Sequence, residues 1–498
     1  MILKKLICIV TVMLFLSSAS YAYAGTIGDE PGTPGKWFKG EEPVQKDEAK
    51  PPLVFVHGIN GSSSTWFDRN DMAKQAVLNG YESAFIDLYP DQDMKKNGKL
   101  LAEKLKEIYD IFGRKLIIIG YSKGGVDTQS ALVYYNAHPY VDKVITLGSP
   151  HYGTPLADLA YSKVGSWLAQ ILGQKSHALY SLQTGPMAAF RSETDRLETF
   201  PNKYVTYSGS EWGTFGSVLY LGGMYLKSFG ANDGAVTVSS TRLSYANNIL
   251  TGKWDHFSIK NGTIMFPVFK NHLLANIANT ENEDDPKQHD PASTELNTDV
   301  YVKGGENEKD KTEEFYVEEG TNGLSIQWLN TRQEAKLEIV SPTGDVLTKL
   351  KTTEASFPYE GAYSHHVQIN KPVPGKWTIR SNSGKKAPYL LLVSYDSPLN
   401  EEIKVAAAKS GDASTHSSSL IKQLSKKVET IYFKDAKKDH PLKTTSSSSD
   451  VQLNKEGAYS VTVHYTGLTA SGTSAFNRTV IRTLYVDQHG TIHGDIPY

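Results

Sequence analysis

The sequence predicts an α/β fold with a doubly wound parallel sheet, followed by two small β-sandwich modules. Three observations indicate this arrangement: apolar runs alternate with an amphipathic stretch in the first half, a polar segment occupies 280–299, and short alternating runs bounded by turn residues follow it. A chain of 498 residues is long enough for roughly two to four domains, at about 150 residues each.

The first 24 residues have the three parts of a secretory signal. Lys4 and Lys5 precede an apolar run from Leu6 to Leu16, and small residues follow as far as Ala24. This run is shorter than the roughly 20 residues that span a bilayer, so we expect cleavage, secretion to the extracellular medium and no transmembrane segment in the mature chain. The single cysteine, Cys8, lies in the signal, which excludes disulfides and thiol catalysis from the mature protein.

The composition indicates folded soluble domains and gives little sign of a charged partner. Hydrophobic residues make up 39% and charged residues 21% of the chain. Removal of the signal changes the formal net charge from -2 to -4. That imbalance is too mild to indicate nucleic acid or an anionic membrane, so no nucleic-acid partner is expected.

Five apolar runs and one helix predict the α/β domain. The runs predicted as buried parallel strands are Leu53–Val56, Ser83–Ile86, Leu116–Ile119, Val144–Leu147 and Tyr204–Tyr207. Between the second and third runs, Leu101, Leu105, Ile108 and Phe112 share one helical face, and the helix is expected to end near Gly113. Alternation of strand, helix and strand predicts helices on both faces of a parallel sheet.

Changes in composition give the domain boundaries. We assign 1–24 to the signal peptide, 25–50 to an extended leader, 51–279 to the α/β domain, 280–299 to a linker, and 300–398 and 399–498 to two immunoglobulin-like β modules. Alternating runs such as Gly323–Trp328 and Tyr459–Tyr465 predict their strands. Trp328 and Trp377 are expected in the module core, because no ligand-specific set of residues stands out.

The pentapeptide Gly120-Tyr121-Ser122-Lys123-Gly124 places a candidate nucleophile between a predicted strand and a predicted helix. Glycines two positions before and after the serine permit the cramped turn that presents its hydroxyl at the edge of a sheet. The pentapeptide alone is a weak signal, but the strand before it and the helix from about Val126 to Tyr135 supply the required context. Ser122 is therefore the predicted nucleophile.

A serine nucleophile needs a histidine base and a carboxylate that orients it. Asp233, in the turn Asn232-Asp233-Gly234, is the predicted acid, and His256 is the predicted base. Asp255 competes for the role of acid, although an immediate neighbour is badly directed toward that imidazole. His272 competes for the role of base, but its flanks resemble a terminal helix.

Two backbone amides are expected to bind the oxyanion of an acyl-transfer intermediate. One belongs to Lys123, which follows the nucleophile, and the other to Ile59, in the loop after the first core strand. Neighbouring glycines let that loop approach a ligand closely. His57 is expected to be structural, because this chemistry has no role for another histidine.

Residues 50–278 resemble the bacterial true lipases of the α/β-hydrolase superfamily, also described as triacylglycerol lipase-like. Six segments in family order carry the resemblance: His57–Gly61, Gly120–Gly125, Gly148–Thr154, Ser181–Thr184, Asn232–Gly234 and Asp255–His256. The resemblance implies ester hydrolysis by a Ser122, His256 and Asp233 triad, with the amides of Ile59 and Lys123 as the oxyanion hole. It implies ester substrates, and contact with a lipid or a lipid–water interface.

The resemblance also raises two structural questions. Residues 156–172 are amphipathic and stand where such lipases carry a lid, although a plain packing helix accounts for the same pattern. Relatives with structural calcium have an acidic residue two positions after the histidine, whereas Phe257 and Ser258 follow His256 here. This departure argues against calcium, and the chemistry requires no cofactor or metal.

Three hypotheses of function follow. The first is a secreted lipase or esterase that cleaves acylglycerols or similar fatty esters. The second is an esterase for an insoluble polyester or a cell-envelope ester, which the C-terminal β modules hold at a surface or polymer. The third is an inert binding protein whose β modules do the work, against which the intact catalytic residues argue.

Overall fold

The computed structural model describes most of the chain. The described residues are 32–167, 175–196, 201–275, 296–307, 310–333, 336–355, 361–409, 419–436, 438–441 and 453–494. The predicted signal peptide, nearly all of the predicted linker and the end of the predicted lid segment lie outside them. No helix within the described ranges is long and apolar enough to cross a bilayer.

A seven-stranded sheet forms the centre of the α/β domain. In chain order its strands are β1 (Trp37–Lys39), β2 (Leu53–Val56), β3 (Ser83–Ile86), β4 (Leu116–Tyr121), β5 (Val141–Leu147), β6 (Lys203–Gly209) and β7 (Asn247–Gly252). Their spatial order is β1-β3-β2-β4-β5-β6-β7, and all neighbours are parallel except β1 and β3. All five predicted strands are present. Strand β1 lies in the predicted leader, where three residues are too few to show an alternating pattern.

Helices cover both faces of this sheet. They are α1 (Met72–Leu78), α2 (Met94–Phe112), α3 (Lys123–Tyr134), α4 (Pro155–Tyr161), α5 (His177–Ser181), α6 (Thr184–Thr194), α7 (Val218–Leu226), α8 (Val238–Thr241) and α9 (Gly262–Leu274), with 3-10 turns at Ser63–Trp66, His138–Tyr140, Lys227–Phe229 and Ser258–Lys260. Helix α2 confirms the predicted helix. It begins where Asp93 accepts from the amides of Lys95 and Lys96, and ends at left-handed Gly113.

Alternation along the strands divides the core into two layers. Val54 and Val56 face one layer, whereas Leu53 and Phe55 face the other. Every residue of β2 is fully buried, as expected for a strand covered by helices on both faces. Because burial of each large apolar side chain contributes about 1.5–3 kcal/mol, these short runs are strong determinants of the sheet.

Two packed antiparallel sheets form the first β module. Their strands are β8 (Val300–Asn307), β9 (Asp310–Val317), β10 (Gly323–Asn330), β11 (Lys336–Val340), β12 (Val346–Leu347), β13 (Lys351–Glu354), β14 (Tyr363–Asn370), β15 (Gly375–Asn382) and β16 (Ala387–Asp396). The sheet orders are β13-β14-β10-β16-β8 and β12-β11-β15-β9. Trp328 stacks on Tyr389 with ring centroids 4.3 Å apart, and Trp377 is buried in the same core, as predicted.

The second β module has one antiparallel sheet and one helix. Helix α10 (Leu399–Lys409) precedes strands β17 (Ile421–Asp435), β18 (Lys438–Pro441), β19 (Gly457–Thr469), β20 (Ala475–Val486) and β21 (Ile492–His493), in the spatial order β18-β17-β19-β20-β21. Leu399 and Ile403 of α10 pack into the apolar core of the sheet. A helix thus contributes to covering this sheet, where the first module uses a second sheet.

Both β modules pack against the α/β domain. In β16, Tyr389, Leu391 and Val393 point into the module core, whereas Leu390 and Leu392 join a cluster with helices α4 and α7. In the second module, β20 contacts α4 and α6. Gly185 allows this close approach, since a Cβ there would lie 2.6 Å from the carbonyl oxygen of Thr483. The modules therefore bury apolar surface of the α/β domain.

Candidate active site

Ser122 lies in a strained turn between β4 and α3. Its φ of 51° and ψ of -129° are unusual for a residue with a side chain, and such conformations cost about 1–3 kcal/mol. Gly124 makes the turn sterically feasible, because a Cβ there would lie 2.5 Å from the carbonyl oxygens of both Val56 and His57. The end of β4 and the start of α3 thus present the Ser122 hydroxyl at the carboxyl edge of the sheet.

The three predicted catalytic side chains form one hydrogen-bonded chain. Nε2 of His256 lies 3.1 Å from Oγ of Ser122, and Nδ1 of His256 lies 2.7 Å from Oδ2 of Asp233. Asp233 is fully buried, and its Oδ1 accepts from the amides of Ala235 and Val236 at 2.9 and 2.7 Å. Since the carboxylate faces Nδ1, that nitrogen carries the proton and Nε2 is free to accept from the serine.

The competing acid and base lie in other hydrogen bonds. Oδ1 of Asp255 accepts from the amides of Phe257 and Ser258, which shapes the loop that carries His256. Nδ1 of His272 lies 2.5 Å from the hydroxyl oxygen of Tyr207. The structure brings neither Asp255 nor His272 into the chain that begins at Ser122.

His57 is buried and fully bonded, as expected for a structural histidine. Its Nδ1 donates to the carbonyl of Gly58 at 2.8 Å, and its Nε2 accepts from the amide of Leu88 at 3.0 Å. Burial lowers the pKa of this imidazole, so the neutral form is favoured. His57 therefore orders the loop that carries Ile59.

The amides of Ile59 and Lys123 are available for a ligand. Lys123 is the first residue of α3, so its N–H has no acceptor within the helix, and the helix dipole favours negative charge there. Among the described residues, no backbone hydrogen bond uses either amide outside regular helices and strands. Ile59 also borders the same cavity as Ser122.

The side chain of Lys123 makes a buried ion pair. Its Nζ lies 2.5 Å from Oδ1 of Asp127, the two side chains are 2% and 3% exposed, and Asn97 donates to the other carboxylate oxygen at 3.0 Å. We expect Lys123→Met to lower the free energy of unfolding by about 3–5 kcal/mol, because it leaves a buried carboxylate without its cation. Urea denaturation measures the loss.

A double variant separates the unpaired charge from a simple loss of packing. Lys123→Met combined with Asp127→Leu removes both charges, and should recover most of the stability lost in the single variant. If the single variant were as stable as the wild-type protein, the pair would not contribute in the way its burial indicates.

An apolar cavity of about 200 Å³ opens in front of Ser122 and His256. Its apolar lining comprises Ile59, Pro150, Leu156, Ala157, Ala160, Leu179, Leu182, Val218, Leu219, Leu221, Ala235, Val236 and Phe257. Helices α4 and α7, which we call the cap, supply six of these side chains. The sequence did not predict α7 as part of the site, because its apolar residues carry no motif. They line the cavity only when the folded chain brings α7 over Ser122.

The predicted lid segment has two buried faces. Leu156, Ala157 and Ala160 line the cavity, whereas Leu159 and Val164 pack with residues of the β modules. One part of the segment, α4, is thus both a cavity wall and a packing helix in this structure. Movement of residues 156–172 as a lid stays a prediction.

Asp158, on α4, links the cap to α6. It is fully buried and accepts from the amide and the hydroxyl of Thr184 at 2.9 and 2.6 Å. Burial raises the pKa of this carboxyl from 3.8 to about 6. As the pH rises, the carboxyl loses its proton at a higher pH in the folded protein than in the unfolded chain. Between about pH 4 and pH 6 this residue therefore lowers the free energy of unfolding as the pH rises, by about 3 kcal/mol for such a shift.

Replacing Asp158 by asparagine should remove that pH dependence. We expect Asp158→Asn to raise the Tm at pH 7.5 and to leave it nearly unchanged at pH 4, as measured by calorimetry. The exposed Asp91→Asn controls for the loss of one carboxylate elsewhere. An equal fall in Tm at both pH values would show that hydrogen-bond geometry, and not charge burial, dominates at this site.

Comparison with known proteins places this chain in a family. The chain is 44% identical to Bacillus licheniformis lipase BlEst2 in its propeptide form, over 93% of this chain and 100% of that chain, with a TM-score of 0.85. It is 60% identical to the same lipase in its mature form, over 49% of this chain and 99% of that chain, with a TM-score of 0.47. No protein-family model and no curated protein sequence matches the chain.

The similarity to the propeptide form extends over the α/β domain and the β modules together. The fold predicted for residues 51–279 is that of an α/β-hydrolase, and the observed parallel sheet with covering helices agrees with it. The chain therefore belongs to the bacterial lipase-like α/β-hydrolases and is a serine ester hydrolase.

Proposed function

We propose that the chain hydrolyses fatty esters by acyl transfer through Ser122, His256 and Asp233. The observation that carries this proposal is the unbroken hydrogen-bonded chain from Asp233 through His256 to Ser122, which ends at an apolar cavity. Positioned groups of these three types are what nucleophilic catalysis at an ester requires.

The proposed reaction has two halves. Oγ of Ser122 attacks the ester carbonyl while Nε2 of His256 takes its proton, and the amides of Ile59 and Lys123 bind the negative oxygen. His256 then gives the proton to the departing alcohol, which leaves an acyl-enzyme. Water attacks this acyl-enzyme in the second half, with His256 again as base, and the acid and free Ser122 are the products. Side chains and backbone amides perform every step, so no metal is needed.

The cavity supports an apolar acyl group as the substrate class. Thirteen apolar side chains line it, against seven polar or charged ones. Burying each additional methylene of an acyl chain contributes about 0.8 kcal/mol until the cavity is filled. We therefore favour acylglycerols or similar fatty esters met at a lipid–water interface.

A fluorophosphonate probe and an ester series test this proposal. The full chain should react covalently with the probe at Ser122, and His256→Ala should abolish that labelling. With p-nitrophenyl esters, kcat/KM should rise with acyl length and then level off when the cavity is full. Efficient hydrolysis by a protein that the probe never labels at Ser122 would contradict the assignment.

We also propose that the β modules restrain the cap. Leu221, Met224 and Leu226 of α7 pack in one cluster with Val302, Leu392 and Ile481 of the modules. Tyr161 of α4 makes an edge-on contact with Phe433, with ring centroids 5.1 Å apart. The related lipase was solved in a form described as the propeptide form. In this proposal, the β modules hold the cap by burying apolar surface against the α/β domain, and their removal releases the cap.

Controlled cleavage between the halves distinguishes restraint from tethering. A site for a specific protease is placed within 280–295, and the modules are separated after cleavage. Restraint predicts a higher kcat/KM for long-chain esters and little change for p-nitrophenyl acetate. The alternative function, an esterase held on a polyester or cell-envelope ester, predicts unchanged soluble rates and a lower rate on the insoluble substrate. Unchanged rates on all three would exclude both roles.

Secretion belongs to the same proposal. The basic, apolar and small-residue parts of residues 1–24 support export followed by cleavage near Gly25. Mass spectrometry of the N-terminus of protein recovered from the culture medium tests this directly. A chain that retained residues 1–24 on the cell surface would contradict it.

A further inference from the structure

Lys260 occupies an unusual position beside the reacting groups. It ends the 3-10 turn Ser258–Lys260, four residues after His256, and borders the cavity together with Ser122, His256 and Phe257. Its ammonium lies 5.1 Å from the ring centroid of Tyr121 and 5.9 Å from that of Phe257. Aromatic faces attract a cation, but they provide no counter-charge.

The ammonium of Lys260 has no carboxylate partner among the described residues. Within the described part of the chain, no aspartate or glutamate oxygen lies within 4.0 Å of Lys260 Nζ. The nearest acid along the chain, Asp255, uses one carboxylate oxygen for the amides of Phe257 and Ser258. Partial burial lowers the pKa of the lysine, which shows that its charge is incompletely solvated. An anion in the cavity would supply the missing partner.

Lys260 lies close to the imidazole that protonates the departing alcohol in the proposed reaction. His256 delivers its proton to the alcohol oxygen, so that part of the substrate must lie next to the imidazole. The ring of Tyr121 lies 5.2 Å from the ring of His256, its hydroxyl donates to the carbonyl of His256, and it also contacts Lys260. Lys260 and the imidazole of His256 therefore both contact the ring of Tyr121.

We propose that Lys260 is a specificity-determining residue that favours esters whose alcohol part carries an anionic group, either a carboxylate or a phosphate. The ammonium donates to that anion while the acyl chain occupies the apolar part of the cavity. This inference rests on the proposed function, because it assigns the alcohol side of the same site. It does not make Lys260 part of the acyl-transfer steps.

Matched pairs of esters test the proposal on the full chain. One pair is 4-carboxyphenyl butyrate and 4-carbamoylphenyl butyrate, and the other is 1-butyrylglycerol 3-phosphate and 1-butyrylglycerol. In each pair the anionic and neutral members are compared as a ratio of kcat/KM. Lys260→Met should lower at least one ratio about tenfold, the lower end of what a hydrogen bond to a charged group contributes. Lys260→Arg, which retains the charge, should preserve most of the preference for the anionic ester.

A control variant and a change of salt concentration distinguish recognition of the anion by Lys260 from general electrostatic attraction of anionic esters to the protein. Lys253, exposed in the same loop, provides Lys253→Met, which removes one positive charge away from the cavity and should leave both ratios unchanged. High salt should narrow the preference of the wild-type protein for anionic esters. An effect on the carboxylate pair alone indicates acidic alcohols, and one on the phosphate pair alone indicates phosphorylated alcohols.

The outcomes for this inference and for the proposed function are distinct. If the neutral esters are hydrolysed by wild-type and Lys260→Met protein alike, and neither ratio changes, the role of Lys260 is overturned while acyl transfer stands. If Ser122 is not labelled and no ester of either pair is hydrolysed, the proposed function itself fails. Circular dichroism and the Tm of Lys260→Met, compared with the wild-type protein, show whether the variant is folded.

Discussion

Ser122→Ala is expected to lower kcat for ester hydrolysis by about 10⁵–10⁶-fold, as loss of a serine nucleophile does elsewhere. The hydroxyl lies 3.1 Å from Nε2 of His256, so the variant loses the attacking atom while the rest of the site remains in place. The amides proposed as the oxyanion hole would still bind a substrate carbonyl, and a small residual rate is expected from them. Single-turnover assays with p-nitrophenyl butyrate measure both the loss of activity and the residual rate.

Ser130→Ala is a suitable control for this variant. Ser130 lies on α3, eight residues after Ser122, and its buried hydroxyl has no hydrogen-bond partner among the described residues. Removing that hydroxyl should leave kcat nearly unchanged. A Ser122→Ala protein that kept more than a hundredth of the activity would show that another residue attacks the ester.

Asp233→Asn is expected to lower kcat by about 10⁴-fold, with the fold intact. The carboxylate accepts from Nδ1 of His256 at 2.7 Å, and the amides of Ala235 and Val236 hold it in that position. An asparagine that turns its amide nitrogen toward Nδ1 moves the ring proton to Nε2. The imidazole can then no longer accept the proton of Ser122. Reaction with the fluorophosphonate should slow by a similar factor.

Asp255→Asn is the matched comparison for the acid. Asp255 adjoins His256 in sequence, but its Oδ1 accepts from the amides of Phe257 and Ser258, and an asparagine oxygen can still accept there. We expect a much smaller loss of kcat than in Asp233→Asn. If the Asp255 variant lost more activity than the Asp233 variant, the two carboxylates would have to exchange roles.

Together these variants address separate parts of one site. Ser122→Ala removes the nucleophile, Asp233→Asn changes the protonation of the base, and Lys260→Met tests the preference between anionic and neutral alcohols. The ion pair between Lys123 and Asp127 lies beneath the nucleophile turn, so its loss should appear first as lower stability. Measuring unfolding and kinetics on the same preparations keeps these effects apart.

Local pattern in the sequence determined the elements around the nucleophile. Leu116–Ile119 is an apolar run and is fully buried. The turn at Ser122 passes close to the backbone of a neighbouring strand, so it requires glycines around Ser122. The order of Ser122, Asp233 and His256 could therefore be predicted, and the structure brings all three side chains within hydrogen-bonding distance. Their catalytic roles remain a prediction for the variants above.

Only the tertiary structure decided which surfaces meet. Ala157 and Leu159 belong to the same amphipathic stretch, yet Ala157 lines the cavity and Leu159 packs with residues of the β modules. The cavity wall formed by α7 and the contact between Lys260 and Tyr121 both join segments that are distant in sequence. Hydrophobic periodicity specifies that a side chain is buried, whereas long-range packing decides what it is buried against.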